Sequence, residues 1–200
     1  MTPRLLFLPG AGADPAFWRP LADRLPAAWD KVHFGWPGLG RQPPDPDVNG
    51  IADLVTMVEA QLGDRPVDLL AQSMGGAVAM AVTLRNPEKV RRLVLTVTAG
   101  GLDVPALGGS NWRKTYRANY PDAAAWITDE RPDHTADLPG VTQPTLLIWG
   151  DTDPISPLAV GRRLEALLPN AILRIVPGGD HGFVEERPDD IAPWIIDHLS

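Results

Sequence analysis

The sequence predicts an α/β fold: a doubly wound, mostly parallel sheet of about six strands with flanking helices. Three observations carry this. Short apolar runs alternate with stretches whose apolar residues recur at helical spacing. Gly, Pro and Asp gather at the junctions. The chain has 200 residues, 44% of them hydrophobic and none of them cysteine, enough for a single core without disulfides.

The elements follow in order. Residues 4–9 form the first apolar run. Phe17, Leu21 and Leu25 then recur every four residues, as one stripe of a helix does. Residues 31–36 form the second run, followed by the stripe Ile51, Leu54, Val55, Val58 and Leu62. Residues 67–71 are the third strand and Ala77, Val78, Ala81 and Leu84 the next stripe. The fourth strand is placed at 93–99, the fifth at 145–149 and the sixth at 172–176. Between the last two, Leu164, Leu167 and Leu168 mark a helix ended by Pro169. The final helix carries Ile191, Trp194, Ile195 and Leu199, with Asp189 and Asp190 where a helix dipole favours negative charge. Such apolar strands read as buried and covered on both faces, and the stripes read as core. Strand alternating with helix implies right-handed crossovers, with functional groups at the carboxyl ends of the strands.

One segment breaks the rhythm. Residues 101–142 hold Gly101, Gly108-Gly109 and Pro139-Gly140 with Trp112, Tyr116, Tyr120 and Trp126. A structureless loop of that length is uncommon in a compact domain. The segment is expected to be a short helical lid inserted into a single domain spanning 1–200.

The net charge of −7 repels phosphate backbones, so no nucleic-acid partner is expected. No apolar stretch approaches the roughly 20 residues of a membrane helix, and the run Leu5 to Leu8 is too short for a signal peptide. With no cysteine present, a cytoplasmic protein is expected. The sequence is silent on oligomeric state and implies no metal and no organic cofactor.

The most informative turn is Gln72-Ser73-Met74-Gly75-Gly76, between the third strand and the helix after it. A serine on a sharp strand-to-helix turn presents its hydroxyl outward. Small residues two before and two after it, Ala71 and Gly75, let the turn close. The helix start offers free amides and a favourable dipole for negative charge. A serine in this place is also a common N-cap, so the turn alone leaves catalysis and capping open.

Other strand ends bear on that choice. Leu8-Pro9-Gly10-Ala11-Gly12 follows the first strand, Trp149-Gly150-Asp151-Thr152-Asp153-Pro154 the fifth, and Gly178-Gly179-Asp180-His181-Gly182 the sixth. Together with Ala71-Gln72-Ser73-Met74-Gly75, these segments make nearly the whole chain resemble the α/β-hydrolase superfamily, in which the triad runs Ser, Asp, His. The resemblance implies Ser73 as nucleophile, His181 as base and Asp153 as the acid that orients it. It also implies an oxyanion hole from the backbone N–H groups of Ala11 and Met74. Asp151 is the rival to Asp153 in the same turn, and Asp180 reads as a turn residue. His33 reads as structural, His134 lies in the lid, and His198 reads as solvated or capping the last helix. The chain departs from the family pattern at Pro9, where His is common, at Ala71, where Gly is common, and at Gly35, where Asp is usual. The two leading antiparallel strands of larger members are not expected, because the first run begins at residue 4.

The resemblance implies a serine hydrolase that cleaves a carboxylic ester or thioester of a small-molecule acyl substrate through an acyl-enzyme on Ser73. The alternatives are a carbon–carbon bond hydrolase or lyase on the same triad, an acyl-carrier thioesterase, and a non-catalytic ligand-binding member of the fold. Trp18, Trp112, Tyr116 and Trp126 are the candidates for an apolar substrate pocket, with Trp149 a further one.

Overall fold

A computed structural model describes residues 2–129 and 132–200. Glu130 and Arg131, inside the expected lid segment, lie outside the described residues. Six strands form one sheet: β1 (Arg4–Leu8), β2 (Asp30–His33), β3 (Val67–Gln72), β4 (Val90–Thr96), β5 (Thr145–Gly150) and β6 (Ala171–Val176). The spatial order is β2-β1-β3-β4-β5-β6, and every pairing is parallel. Each crossover carries helix or turn. The helices are α1 (Arg19–Ala22), α2 (Ile51–Glu59), α3 (Met74–Arg85), α4 (Arg113–Asn119), α5 (Trp126–Asp129), α6 (Leu158–Leu167), α7 (Phe183–Glu186) and α8 (Pro188–Leu199).

The order reverses beside β1. The chain runs outward from β1 to β2, then returns to start β3 on the other side of β1. Two neighbouring strands that lead away from each other leave a crevice at their carboxyl ends. Leu8 pairs with Ala71 there, so the loop after β1 and the turn after β3 face each other across it.

The central strands β3 and β5 are buried along their whole length, as doubly covered parallel strands require. The two edge strands correct the expectation of cover on both faces. β2 is nowhere fully buried, and β6 leaves Ile172 59% exposed, because an edge strand has a neighbour on one side only.

Two boundaries also differ from expectation. The second strand stops at His33, because Trp36 turns inward, fully buried, and its indole donates to the Pro9 carbonyl at 2.8 Å. The fourth strand runs from Val90 to Thr96 rather than over 93–99, because Val97 takes φ +40°, a conformation that ends the ladder and that a β-branched residue rarely adopts.

Residues 97–129 and 132–144 carry α4, α5 and two 3-10 turns, and Leu102, Val104, Trp112, Tyr116 and Ile127 of these residues share a cavity with Ser73 after β3 and Ala11 after β1. Among the described residues no helix is long and apolar enough to cross a membrane.

Candidate active site

Ser73 sits between β3 and α3 at φ 53°, ψ −123°, a strained conformation for a residue with a side chain. Its surroundings hold it there. The Ser73 amide donates to the Thr96 carbonyl at 3.1 Å, and the Ser73 carbonyl accepts from the Gly76 amide at 3.0 Å and from the Thr98 hydroxyl. The glycines after it are obligatory on space alone. A Cβ on Gly75 would lie 2.5 Å from the carbonyl oxygens of Leu8 and Pro9, and one on Gly76 would lie 2.0 Å from the Thr98 hydroxyl. The side chain of Ser73 makes no cap hydrogen bond to α3, so the capping alternative fails.

The hydroxyl instead lies 2.9 Å from His181 Nε2. His181 Nδ1 lies 2.7 Å from Asp153 Oδ2. The carboxylate is fully buried while the imidazole is 22% exposed. Asp153 Oδ1 accepts from the amides of Ile155 at 2.7 Å and Ser156 at 3.2 Å, so both its oxygens are occupied. With Nδ1 facing the Asp153 carboxyl, the ring proton is assigned to Nδ1, which leaves Nε2 free to accept from the serine, a tautomer inferred from the partners.

Asp151 goes elsewhere. Its Oδ1 accepts from the Gly178 amide at 2.6 Å. Thr152 donates to the Gly179 carbonyl through its amide at 3.0 Å and its hydroxyl at 2.8 Å. These bonds lace the turn that carries the acid to the turn that carries the histidine. Asp180 accepts from the Gly182 amide at 2.8 Å, a local turn role.

Three polar residues escaped the sequence reading. Gln72, 5% exposed, donates to the His181 carbonyl at 3.2 Å. Ser156 donates to the Thr98 carbonyl at 3.1 Å, and Thr98 reaches the Ser73 carbonyl. The available signal was their polarity at or near the ends of apolar strands, where a buried side chain needs a partner.

The loop after β1 faces Ser73. A side chain at Gly10 would meet Gln72 Oε1 at 2.3 Å and Ser73 Cβ at 3.0 Å. Ala11 and Met74 border the same cavity as Ser73 and His181, and among the described residues neither amide is taken up by a backbone carbonyl. The cavity measures about 920 Å³ and extends between Phe17, Leu102, Val104, Trp112, Tyr116 and Ile127.

Of the aromatic candidates, Trp112 and Tyr116 therefore line it. Trp18 does not. It is 1% exposed and packs against Phe7 and Phe17 with ring centroids 5.7 and 5.5 Å away, inside the core. Trp126 is half-buried in α5 and lies outside the lining. Trp149 is fully buried, with its indole donating to the Ser156 carbonyl at 2.9 Å.

Among the described residues none of the other histidines lines the cavity. His33 stacks on Phe7 at 4.7 Å. His198 is neither solvated nor a cap, since its Nε2 donates to the Leu93 carbonyl at 3.0 Å. His134 packs against Gly101. Among the described residues no cluster of His, Cys, Asp or Glu could hold a metal ion.

Comparison with known proteins bears on the family of the chain. A family model described as the alpha/beta hydrolase fold matches residues 3–128 and 104–188. The chain is 30% identical over 224 residues to a pimeloyl-[acyl-carrier protein] methyl ester esterase of Neisseria meningitidis serogroup C, covering 89% of this chain and 86% of that protein. It is 42% identical over 194 residues to the uncharacterized hydrolase YugF of Bacillus subtilis, covering 75% and 71%. Against the polyketide synthase ThaQ of Burkholderia thailandensis it is 26% identical, and it spans only 12% of that protein's length. Among solved structures, the alpha/beta hydrolase enzyme MGS-MChE2, from a metagenome of lagoon sediments at Mar Chica, Morocco, superposes with a TM-score of 0.79 at 21% identity, covering 98% of this chain and 90% of the other. The chain belongs to the alpha/beta hydrolase fold family, and it is an alpha/beta hydrolase enzyme.

Proposed function

We propose that this hydrolase cleaves carboxylic esters, or the corresponding thioesters, through an acyl-enzyme on Ser73. The observation that carries the reading is the unbroken hydrogen-bond chain from Ser73 through His181 to Asp153, at 2.9 and 2.7 Å, opening on a largely apolar cavity. His181 Nε2 takes the Ser73 proton as Oγ attacks the acyl carbon. The former carbonyl oxygen becomes an oxyanion facing the amides of Ala11 and Met74, each such donor worth about 3–4 kcal/mol in the transition state. The imidazolium, stabilised by Asp153, then protonates the leaving alkoxide or thiolate. Water repeats the sequence on the acyl-enzyme, with His181 again the base, and releases the acid and free Ser73.

The name of the Neisseria relative, an esterase for a methyl ester on a carrier-linked acyl group, supports ester chemistry. The lining supports an uncharged acyl chain, since apolar residues dominate it. The net charge of −7 supports a small-molecule acyl substrate over nucleic acid.

The test is a panel of p-nitrophenyl esters and matched thioesters of increasing chain length, comparing wild type with Ser73→Ala. Turnover with a stoichiometric burst in wild type, lost in the variant, is the expected result. Equal rates in the two proteins would refute the reading.

A further inference from the structure

We propose that Tyr116, on α4 of the segment that covers the site, is a positioning residue that locks the oxyanion loop in its working conformation. The inference rests on the reading of Ser73 as an acyl-transfer nucleophile.

The loop after β1 shows how it is held. Three successive carbonyls are each taken by a donor. The Pro9 carbonyl accepts from the Trp36 indole at 2.8 Å, the Gly10 carbonyl from the Ala13 amide at 3.0 Å, and the Ala11 carbonyl from the Tyr116 hydroxyl at 2.9 Å. In a trans peptide the carbonyl of Gly10 and the amide of Ala11 point in opposite directions. Pinning the planes on both sides of Ala11 therefore fixes where its N–H aims. Trp36 and Ala13 belong to the sheet side of the molecule. Tyr116 is the one donor of the three that comes from the covering segment.

The phenol is fully used. It donates its single proton to Ala11 and accepts from the Gly40 amide at 2.9 Å, which exhausts one donor and one acceptor. Tyr116 is 7% exposed, and burial pushes its hydroxyl above the usual tyrosine range, so the donor keeps its proton. The Gly40 end is equally constrained. Gly40 has φ +55°, and a Cβ there would lie 1.9 Å from the Gly12 carbonyl oxygen. The 36–40 loop, the oxyanion loop and α4 thus meet at one hydroxyl. The covering segment is then part of the catalytic apparatus, and undocking α4 would release the oxyanion loop as it opens the cavity.

The experiment compares wild type with Tyr116→Phe, which keeps the ring and removes only the hydroxyl. The expected result is a fall in kcat of about tenfold or more with KM changed less than about threefold, the pattern of an interaction realised in the transition state. Affinity for an alkyl boronic acid, which forms a tetrahedral adduct on an activated serine, should fall in parallel. A loss confined to KM, or unchanged kcat and boronate affinity, overturns the inference while leaving Ser73 chemistry intact. Wild type that neither turns over esters nor binds the boronate overturns the underlying reading as well. If Tyr116→Phe does not fold, amide exchange in the wild type decides. The Gly40 amide should open together with α4, and free exchange at Gly40 under a protected α4 contradicts the clamp.

Discussion

The turn at Ser73 and the segment over it reach the same cavity by opposite means. The turn is built of close contacts. Gly75 lies against backbone oxygens and Gly76 against the Thr98 side chain, with no room for a methyl group on either, Ala71 is fully buried, and strain at Ser73 is held by hydrogen bonds with the β4 end. The covering segment is made of short, partly exposed helices. It is tied to the sheet side at a few points, among them the Tyr116 hydroxyl on the Ala11 carbonyl and the Ala124 amide on the Gly38 carbonyl at 2.8 Å. In the proposed mechanism the groups that need fixed geometry sit on the sheet end, and part of the cavity wall comes from the covering segment.

The largest expected effect falls on the sheet side. Asp153→Asn should lower kcat by about 10³–10⁴-fold, because an amide no longer holds the imidazole in the right tautomer, with the unfolding midpoint little changed. Asp151→Asn should stay within about tenfold, since that carboxylate only braces the Gly178 amide. Steady-state ester kinetics on the two variants check this, and a larger loss in the Asp151 variant would reassign the acid.

Packing gives the next contrast. Gly75→Ala drives a methyl group against two backbone oxygens and should cost about 1–3 kcal/mol of stability, with activity lost as the elbow shifts. Gly140→Ala, where a Cβ would meet nothing within 4 Å, should stay within about 0.5 kcal/mol. Urea unfolding of both variants measures the difference. Equal costs would mean that the elbow is no tighter than the cover.

The smallest effect falls on the pH dependence of stability. Burial pushes the imidazoles of His33 and His198 below the usual histidine range. Both stay neutral in the fold where the unfolded chain takes up protons. Stability is therefore full above about pH 6.5 and declines as pH falls below it. His33→Phe should flatten that decline, read from urea midpoints at pH 7.5 and 5.5. An unchanged slope would remove His33 from the account.

The same division decides how much the sequence reveals. The six strands and the helices between them were legible because parallel core strands are uniformly apolar and the stripes keep helical spacing. The ends of β2 and β4 were not, since Trp36 turning inward and Val97 at positive φ are set by tertiary contacts. Ser73, Asp153 and His181 were legible through four short segments at strand ends, and the structure brings the three together. The aromatic candidates were not, because a tryptophan in a core and a tryptophan in a cavity wall look alike in sequence. Trp18 proved to pack on Phe7, whereas Trp112 lines the cavity. Tyr116 stood among those candidates as a wall residue, and nothing local in the sequence joins its hydroxyl to a carbonyl 105 residues away.

The central claim, an activated serine at residue 73, is tested most directly by covalent labelling with a fluorophosphonate, wild type beside Ser73→Ala, read by intact mass and peptide mapping. The account predicts one adduct per chain, located on Ser73 and absent from the variant. A folded wild type that stays unlabelled, or an adduct that persists in Ser73→Ala, would contradict it.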